Sequence, residues 1–356
     1  MSIASTYRGV PAGWLRTPNF DLGFIVGSAL IALLSAAIVV ADSRMFAPIL
    51  LIDLWFLGYH HVISTYTRLC FDGESAKEHR FLLFGLPPIV IGLTVAMAFG
   101  VGFWTIGTVY LYWQWLHYTR QSWGVSQAYR RKSGGLVKED ENLTRLAFYL
   151  LPLWGILHRS WQDPGKFLGL ELKVVPVAGW VVDVVAVAAI VAIALWGYQR
   201  AKTFIKGEGP VAHTLYMVSH FVVFGVSYIL IDDVTYGWLA VNIWHNLQYV
   251  VFVWLFNSNK FRDGVSPRAA FLSMLSQPKN WLRYFGFSIV LSTVVYFSIA
   301  MATSGFNEMA LPAALLIYSA INFHHYIVDS VIWKMRKRKI QKTLGLDGNA
   351  AMEGAK

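Results

Sequence analysis

Long apolar stretches alternate with short polar segments along nearly the whole chain. About ten of these stretches approach or reach the roughly 20 residues that an α-helix needs to cross about 30 Å of hydrocarbon. They lie near residues 22–41, 45–70, 81–101, 103–127, 145–158, 175–197, 211–231, 236–257, 283–303 and 309–333. Because backbone groups inside a bilayer must be hydrogen-bonded internally, the pattern predicts an all-α fold, a polytopic transmembrane helix bundle.

One of these segments, 145–158, is short for a crossing. A re-entrant or interfacial element, continuing through Trp161 and Pro164, is the alternative, and a later segment would then have to be reassigned. Otherwise residues 1–340 predict a single transmembrane domain. The last residues, 341–356, have little apolar content and predict a mobile cytoplasmic tail.

The charged residues are few and unevenly placed. They make up 14% of the 356 residues, with a formal net charge of +10, and Lys and Arg concentrate in alternate connecting segments. By the positive-inside rule these segments and both termini are predicted to be cytoplasmic, in the inner membrane if the source is bacterial. Because the basic residues lie in short loops rather than on one face of a domain, they indicate topology and not nucleic-acid binding.

Two features of the sequence limit the chemistry and the processing of the chain. The opening residues lack a basic and then apolar run with a small-residue cleavage site, so we expect no removable signal peptide. A single cysteine, Cys70, excludes an intramolecular disulfide and any cysteine-rich metal site. We therefore expect chemistry that does not depend on a cluster of thiolates.

Histidines are the most informative polar residues of the predicted helices. Of ten in the chain, seven lie well inside the apolar segments, in one layer about 10 Å thick toward the cytoplasmic half of the bilayer. Ionisable groups in hydrocarbon usually face the bundle interior and mark a functional site, and imidazole is a versatile metal ligand. A network of interhelical hydrogen bonds is the alternative. The candidate metal ligands are His60, His61, His117, His220, His245, His324 and His325.

Helical geometry indicates that the two histidines of an adjacent pair face different directions. His60 and His61 project about 100° apart, so they cannot be equivalent: they could bind two metals, or one could bind a metal while the other positions a substrate. Asp329 lies four residues after His325, one helical turn along the same face. A carboxylate there can bind the metal directly or hold the imidazole in one tautomer.

Further polar residues accompany the single histidines. Gln121 lies four residues after His117, with Arg120 beside it, and Asn246 directly follows His245. Ordinary hydrogen bonding between helices is the alternative explanation for the amide side chains. We assign catalytic or orienting roles to Asp329, Gln121, Asn246 and Arg120.

The ligand set is rich in nitrogen and poor in carboxylate, which argues against magnesium, calcium and Glu-x-x-His di-iron sites. No H-E-x-x-H motif occurs, so the common zinc-protease site is absent. The paired histidines in a basic-flanked bundle resemble the histidine-cluster integral membrane oxygenases and desaturases, which use non-haem iron and O2 on lipid-like substrates. Those families carry H-x-x-x-H and H-x-x-H-H boxes, whereas this chain has only the pairs His60-His61 and His324-His325.

These observations favour a membrane metalloenzyme that oxidises or desaturates a lipid-like or other apolar substrate with O2. Because more than four deep histidines suit two metals better than one, the expected cofactor is iron, as two ions, ahead of zinc, copper or haem. The expected partners are membrane lipids, an apolar small-molecule substrate and an electron-donor protein, and no nucleic acid.

Two other classes of function remain open. In a zinc-dependent intramembrane lipid hydrolase, three histidines would hold zinc and the metal-bound water would be the nucleophile. A haem-carrying electron-transfer protein would require facing histidines on two helices, and a metal transporter would show broken helices and a ligand path through both leaflets. The single layer of histidines argues against transport.

Overall fold

The computed structural model of the protein describes residues 6–7, 10–134, 139–305 and 310–346. These residues are almost entirely helical, which confirms the predicted all-α class. Each of the ten segments predicted from the apolar pattern overlaps one long helix. We number these helices α1 to α10: Pro18–Ala41, Ser43–Cys70, Phe81–Gly100, Trp104–Lys132, Glu141–Gln162, Gly179–Ile205, Val211–Leu230, Val234–Lys260, Pro278–Ser304 and Ala310–Ile332.

Seven of the ten helices, all except α4, α5 and α10, are long and apolar enough to cross a membrane. Helices α6 and α9 expose the most apolar surface: only 22% and 17% of the residues in their most apolar 18-residue stretches are buried inside the protein. Exposed apolar surface of this extent requires a hydrocarbon environment. The chain is therefore built as an integral membrane protein. The more polar helix α5, which covers the short segment 145–158, has 22 residues and contains Pro152.

Helix α8 is the centre of the bundle. In its most apolar stretch of 18 residues, 89% of the residues are buried inside the protein. The corresponding share is at most 50% in the other six apolar helices. It packs against α1, α2 and α7, and also contacts α4. Polar residues on α8, including Asn242, His245 and Gln248, therefore face protein and not lipid. This is the arrangement in which polar side chains are tolerated inside a membrane.

Two local features shape the interior next to α8. A π-helical turn, Leu54–Gly58, interrupts α2 just before its histidine pair, and such turns often occur at functional sites. Between α5 and α6, the antiparallel strands β1 (Lys166–Phe167) and β2 (Leu170–Glu171) form a hairpin. The hairpin lies against α4 at Gly107, where an added Cβ would be 3.0 Å from the Glu171 carbonyl oxygen. A second short hairpin pairs Thr6–Tyr7 with Val10–Pro11.

Short helices occupy the connections outside the long ones: Gly73–Glu78, Ala270–Leu275 and Arg338–Thr343. The predicted tail boundary at residue 341 falls inside the last of these. Ile340, Leu344 and Leu346 are buried in the main hydrophobic core, so the tail up to residue 346 is packed. The rest of the predicted tail, 347–356, lies outside the described residues.

Candidate metal centre

Four histidines from four different helices meet in the bundle interior. His61 comes from α2, His117 from α4, His245 from α8 and His325 from α10. The ring centroid of His61 is 4.7 Å from that of His245 and 4.6 Å from that of His325. The centroid of His117 lies 5.0 and 5.1 Å from the same two rings. None of the four is more than 8% exposed. We call these four residues and Asp329 the histidine cluster.

The spacing of the cluster suits a metal ion. One ligand atom from each of His61, His117, His325 and Asp329 lies within 4.8 Å of all the others. Two atoms that bind one ion at about 2.1 Å are at most about 4.2 Å apart, so small side-chain rotations would bring these atoms into binding range. His245 supplies the fourth imidazole beside them. Nε2 of His61 and Nε2 of His325 are 2.7 Å apart, which places two ring nitrogens face to face at the centre.

A hydroxyl and a carboxylate fix the orientation of His325. The Thr65 hydroxyl donates to Oδ1 of Asp329 at 3.1 Å, and its oxygen lies 3.0 Å from Nδ1 of His325. The Thr65 oxygen also contacts the Tyr249 hydroxyl; in the arrangement in which Thr65 gives its proton to the carboxylate, Nδ1 of His325 donates to Thr65. Nε2 is then unprotonated and faces the cluster, which is the tautomer that a metal requires. The Tyr249 hydroxyl also donates to Oδ1 of Asp329, at 2.8 Å.

Several polar atoms of the cluster are buried with no hydrogen-bond partner. They are Nδ1 of His61, Nε2 of His117, Nε2 of His245 and Oδ2 of Asp329. Leaving such groups unsatisfied costs about 1–3 kcal/mol each, and buried polar groups are normally paired. Four unpartnered buried atoms within one cluster of side chains therefore fit a bound cation, and the residues present suit a metal ion with nitrogen and oxygen ligands.

The other three predicted ligands lie apart from the cluster. His220 on α7 contacts Ser122 Oγ at 3.0 Å and the Phe148 carbonyl at 3.2 Å. His324 contacts the Tyr66 hydroxyl and the Leu82 carbonyl, each at 2.7 Å. Both nitrogens of these two rings are thus occupied by hydrogen bonds. These two histidines have the interhelical structural role that was the alternative at the sequence level.

His60 differs from these two, because its Nε2 is buried without a partner. Its ring faces the edge of Phe285 on α9, at a centroid distance of 5.8 Å, while the adjacent His61 points into the cluster. The 100° separation expected for neighbouring helical residues therefore places the two rings in different environments.

Of the residues predicted to have catalytic or orienting roles, one lies in the cluster and the others lie beside it. Asp329 lies in the cluster, whereas Asn246 donates from Nδ2 to Oδ1 of Asp53 at 3.3 Å, on the neighbouring helix α2. Arg120 and Gln121 line a cavity next to His117, and Oε1 of Gln121 is buried without a partner.

Sequence reasoning did not identify three residues that contact the cluster. Thr65 and Tyr249 bind Asp329, and the Tyr118 ring lies 4.1 Å from the His245 ring. Thr65 follows His61 by four residues and Tyr249 follows His245 by four. The i, i+4 spacing that singled out Asp329 would have found these two as well. Tyr118 is adjacent in sequence to His117 but contacts a different histidine, and no spacing rule indicates this.

An apolar cavity of about 720 Å³ reaches the cluster from one side. Three of its wall residues are His61, His245 and His325, and most of the others are apolar or aromatic. Leu168, Gly169 and Leu170 of the β1–β2 hairpin also line it. An amide and phenol network adds the main polar groups: Asn242 donates to Asp53, accepts from the Tyr118 hydroxyl and contacts Gln114. A chamber of this size and lining is suited to a mostly apolar small molecule.

A second cavity, of about 620 Å³, borders the cluster at His117 and Asp329, which do not line the first. Tyr326 lines both cavities, and its ring stacks on that of His117 at 4.5 Å. The two cavities thus border the cluster at different residues.

Comparison with known proteins finds no family model, no curated protein and no solved structure that matches the chain.

Proposed function

We propose that this protein is an integral membrane metalloenzyme that oxidises an apolar, lipid-like substrate. The observation that carries the proposal is the cluster of four buried imidazoles and one carboxylate, three of whose histidines line an apolar cavity. A purely structural network would pair its polar atoms, whereas four atoms here have no partner. An apolar molecule bound in this cavity would lie against His61, His245 and His325, which line it.

Iron is the metal we propose. Imidazole with a single carboxylate is the ligand type of non-haem iron oxygenases, and a nitrogen-rich set does not suit magnesium or calcium. The seven deep histidines of the sequence favoured two ions, but only five side chains gather here, so we propose one ion per cluster. When bound, such an ion supplies O2 activation. The protein would hold the ligands, exclude water and orient the substrate in the apolar cavity, and an electron-donor protein would complete the reaction.

Metal analysis of the purified protein tests this proposal. We expect about one iron per chain and no Soret absorption band. One zinc per chain would instead support the intramembrane hydrolase, in which three of the histidines hold zinc and activate water. A Soret band would establish haem, and a protein without any bound metal after growth in iron- and zinc-supplemented medium would contradict both metalloenzyme proposals.

We also propose that all ten long helices cross the membrane. Helices α4, α5 and α10 are more polar than the rest, but they have 29, 22 and 23 residues, enough to span about 30 Å. An even number of crossings puts both termini on one side, and the positive-inside rule makes that side cytoplasmic. A fluorescent protein that folds only in the cytoplasm, fused after the last residue, is expected to fluoresce. Alkaline phosphatase activity from the same fusion point would contradict this topology.

A further inference from the structure

The cavity on the His117 side of the cluster has a strongly cationic wall. Its lining includes five basic side chains from α4, the first turns of α5 and the segment after α10: Arg120, Arg131, Arg145, Lys334 and Arg336. Asp329, at the cluster, is the one carboxylate in this lining. Cations grouped around a concave surface raise the local concentration of anions.

Most of these cations have no ion-pair partner. Among the described residues, Arg145 pairs with Glu141 at 3.1 Å, but no carboxylate pairs with Arg120, Arg131, Lys334 or Arg336. Arg130 is close in sequence yet does pair, with Glu139 and Glu141. Unneutralised arginine is the preferred partner of carboxylate and phosphate groups, which it can bind through two parallel hydrogen bonds.

The rest of the wall suits an organic molecule and not only an inorganic ion. Aromatic rings of Trp113, Trp123, Tyr149, Phe252 and Trp333 line the same cavity. Aromatic walls with a few well-placed polar groups are typical of small-molecule sites. Two of the lining amides have a buried polar atom without a partner, Oε1 of Gln121 and Nε2 of Gln127. These atoms provide one acceptor and one donor that a ligand could satisfy.

We propose that this cavity binds a small organic anion that carries a carboxylate or phosphate group. The anionic group contacts the basic side chains, and the organic part packs on the tryptophans. His117 lines this cavity and not the apolar one, while His61, His245 and His325 line the apolar one. Two ligands of different chemistry would therefore contact different residues of the histidine cluster. This inference goes beyond the proposed function, because anion binding can be measured whether or not a metal is bound.

Phenyl phosphate is a suitable probe, with phenol as the uncharged comparison, in isothermal titration of the full-length protein in phosphatidylcholine nanodiscs. We expect saturable binding of phenyl phosphate and none of phenol. The double variant Arg131→Gln/Lys334→Gln should weaken this binding at least about tenfold, since a hydrogen bond to a charged group contributes about 1.5–3 kcal/mol. The matched control Lys206→Gln/Lys279→Gln removes two exposed cations outside the cavity and should bind like the unmodified protein.

A lipid headgroup and a soluble molecule share the same anionic chemistry, and nanodisc composition separates them. If the natural ligand is a headgroup, phosphatidylglycerol nanodiscs should block phenyl phosphate binding. If the ligand is soluble, the affinity should be similar in both lipids. Unsaturable binding, equal binding of phenol, or equal weakening in both double variants would overturn the proposal. Metal content and melting temperature of Arg131→Gln/Lys334→Gln should be unchanged, which separates this test from that of the metal centre.

Discussion

Replacing His325 with alanine is expected to abolish stoichiometric metal binding. Its Nε2 faces that of His61 at the centre of the cluster, and its Nδ1 lies 3.0 Å from the Thr65 hydroxyl. Loss of an outer partner of a metal ligand typically weakens affinity about 10- to 100-fold, and loss of a ligand itself should cost more. Alanine at His61 or His245 should act in the same way. The measurement is metal per chain, by mass spectrometry, after purification and dialysis.

His220→Ala is the matched control, because it also removes a fully buried imidazole from a long helix. Its ring is hydrogen-bonded to Ser122 and Phe148 and lies outside the cluster. This variant is expected to melt at a lower temperature but to keep its metal. Equal metal loss in His220→Ala and His325→Ala would show that the metal content depends on the stability of the fold and not on the cluster. The cluster would then not be the metal centre.

Asp329→Asn is expected to lower metal affinity by about 10- to 100-fold while leaving the number of sites at one per chain. Asparagine keeps an oxygen that can accept from Thr65 and Tyr249, which contact Oδ1 in the native protein. It replaces Oδ2, which is unpartnered and 3.6 Å from Nε2 of His325, with an uncharged amide. The fold should survive, while the negative charge that offsets a cation is lost.

Titration of the metal-free protein with Fe²⁺ under anaerobic conditions measures this change, with the fitted site number and dissociation constant as separate readouts. Asp183→Asn provides the control, since it removes a carboxylate from the exposed surface of α6. A dissociation constant for Asp329→Asn equal to that of the control would show that the carboxylate has no electrostatic role at the centre.

The sequence predicted the helices well because the hydrocarbon requirement is a strong and local constraint. The apolar run near residues 175–197 can be accommodated in hydrocarbon only as a helix, and α6, Gly179–Ile205, covers most of it and extends beyond its end. The same constraint drew attention to the deep histidines. The angular argument on His60 and His61 also predicted that the two rings would face different environments, as they do.

The sequence could not show which histidines meet. The sequence gives the depth of a residue along its helix but not the direction in which its side chain points. His220 and His324 therefore could not be told apart from His117 and His245 by depth. Which face of each helix points inward depends on packing around α8, a long-range property. Acceptors such as the Phe148 and Leu82 carbonyls also come from distant parts of the chain. The two cavities that border the cluster likewise arise only from the assembled bundle.

The cluster joins helices that are synthesised at different times, because they are far apart in the sequence. His61 and His325 are separated by 264 residues, and α10 is the last long helix to leave the ribosome. A nascent chain that has inserted α2, α4 and α8 offers three of the four imidazoles and lacks Asp329 altogether. If the cluster binds the proposed ion, the full set of ligands forms only after α10 has been inserted. The assembled bundle would then gain the stability that ligand binding provides, which a shorter nascent chain lacks.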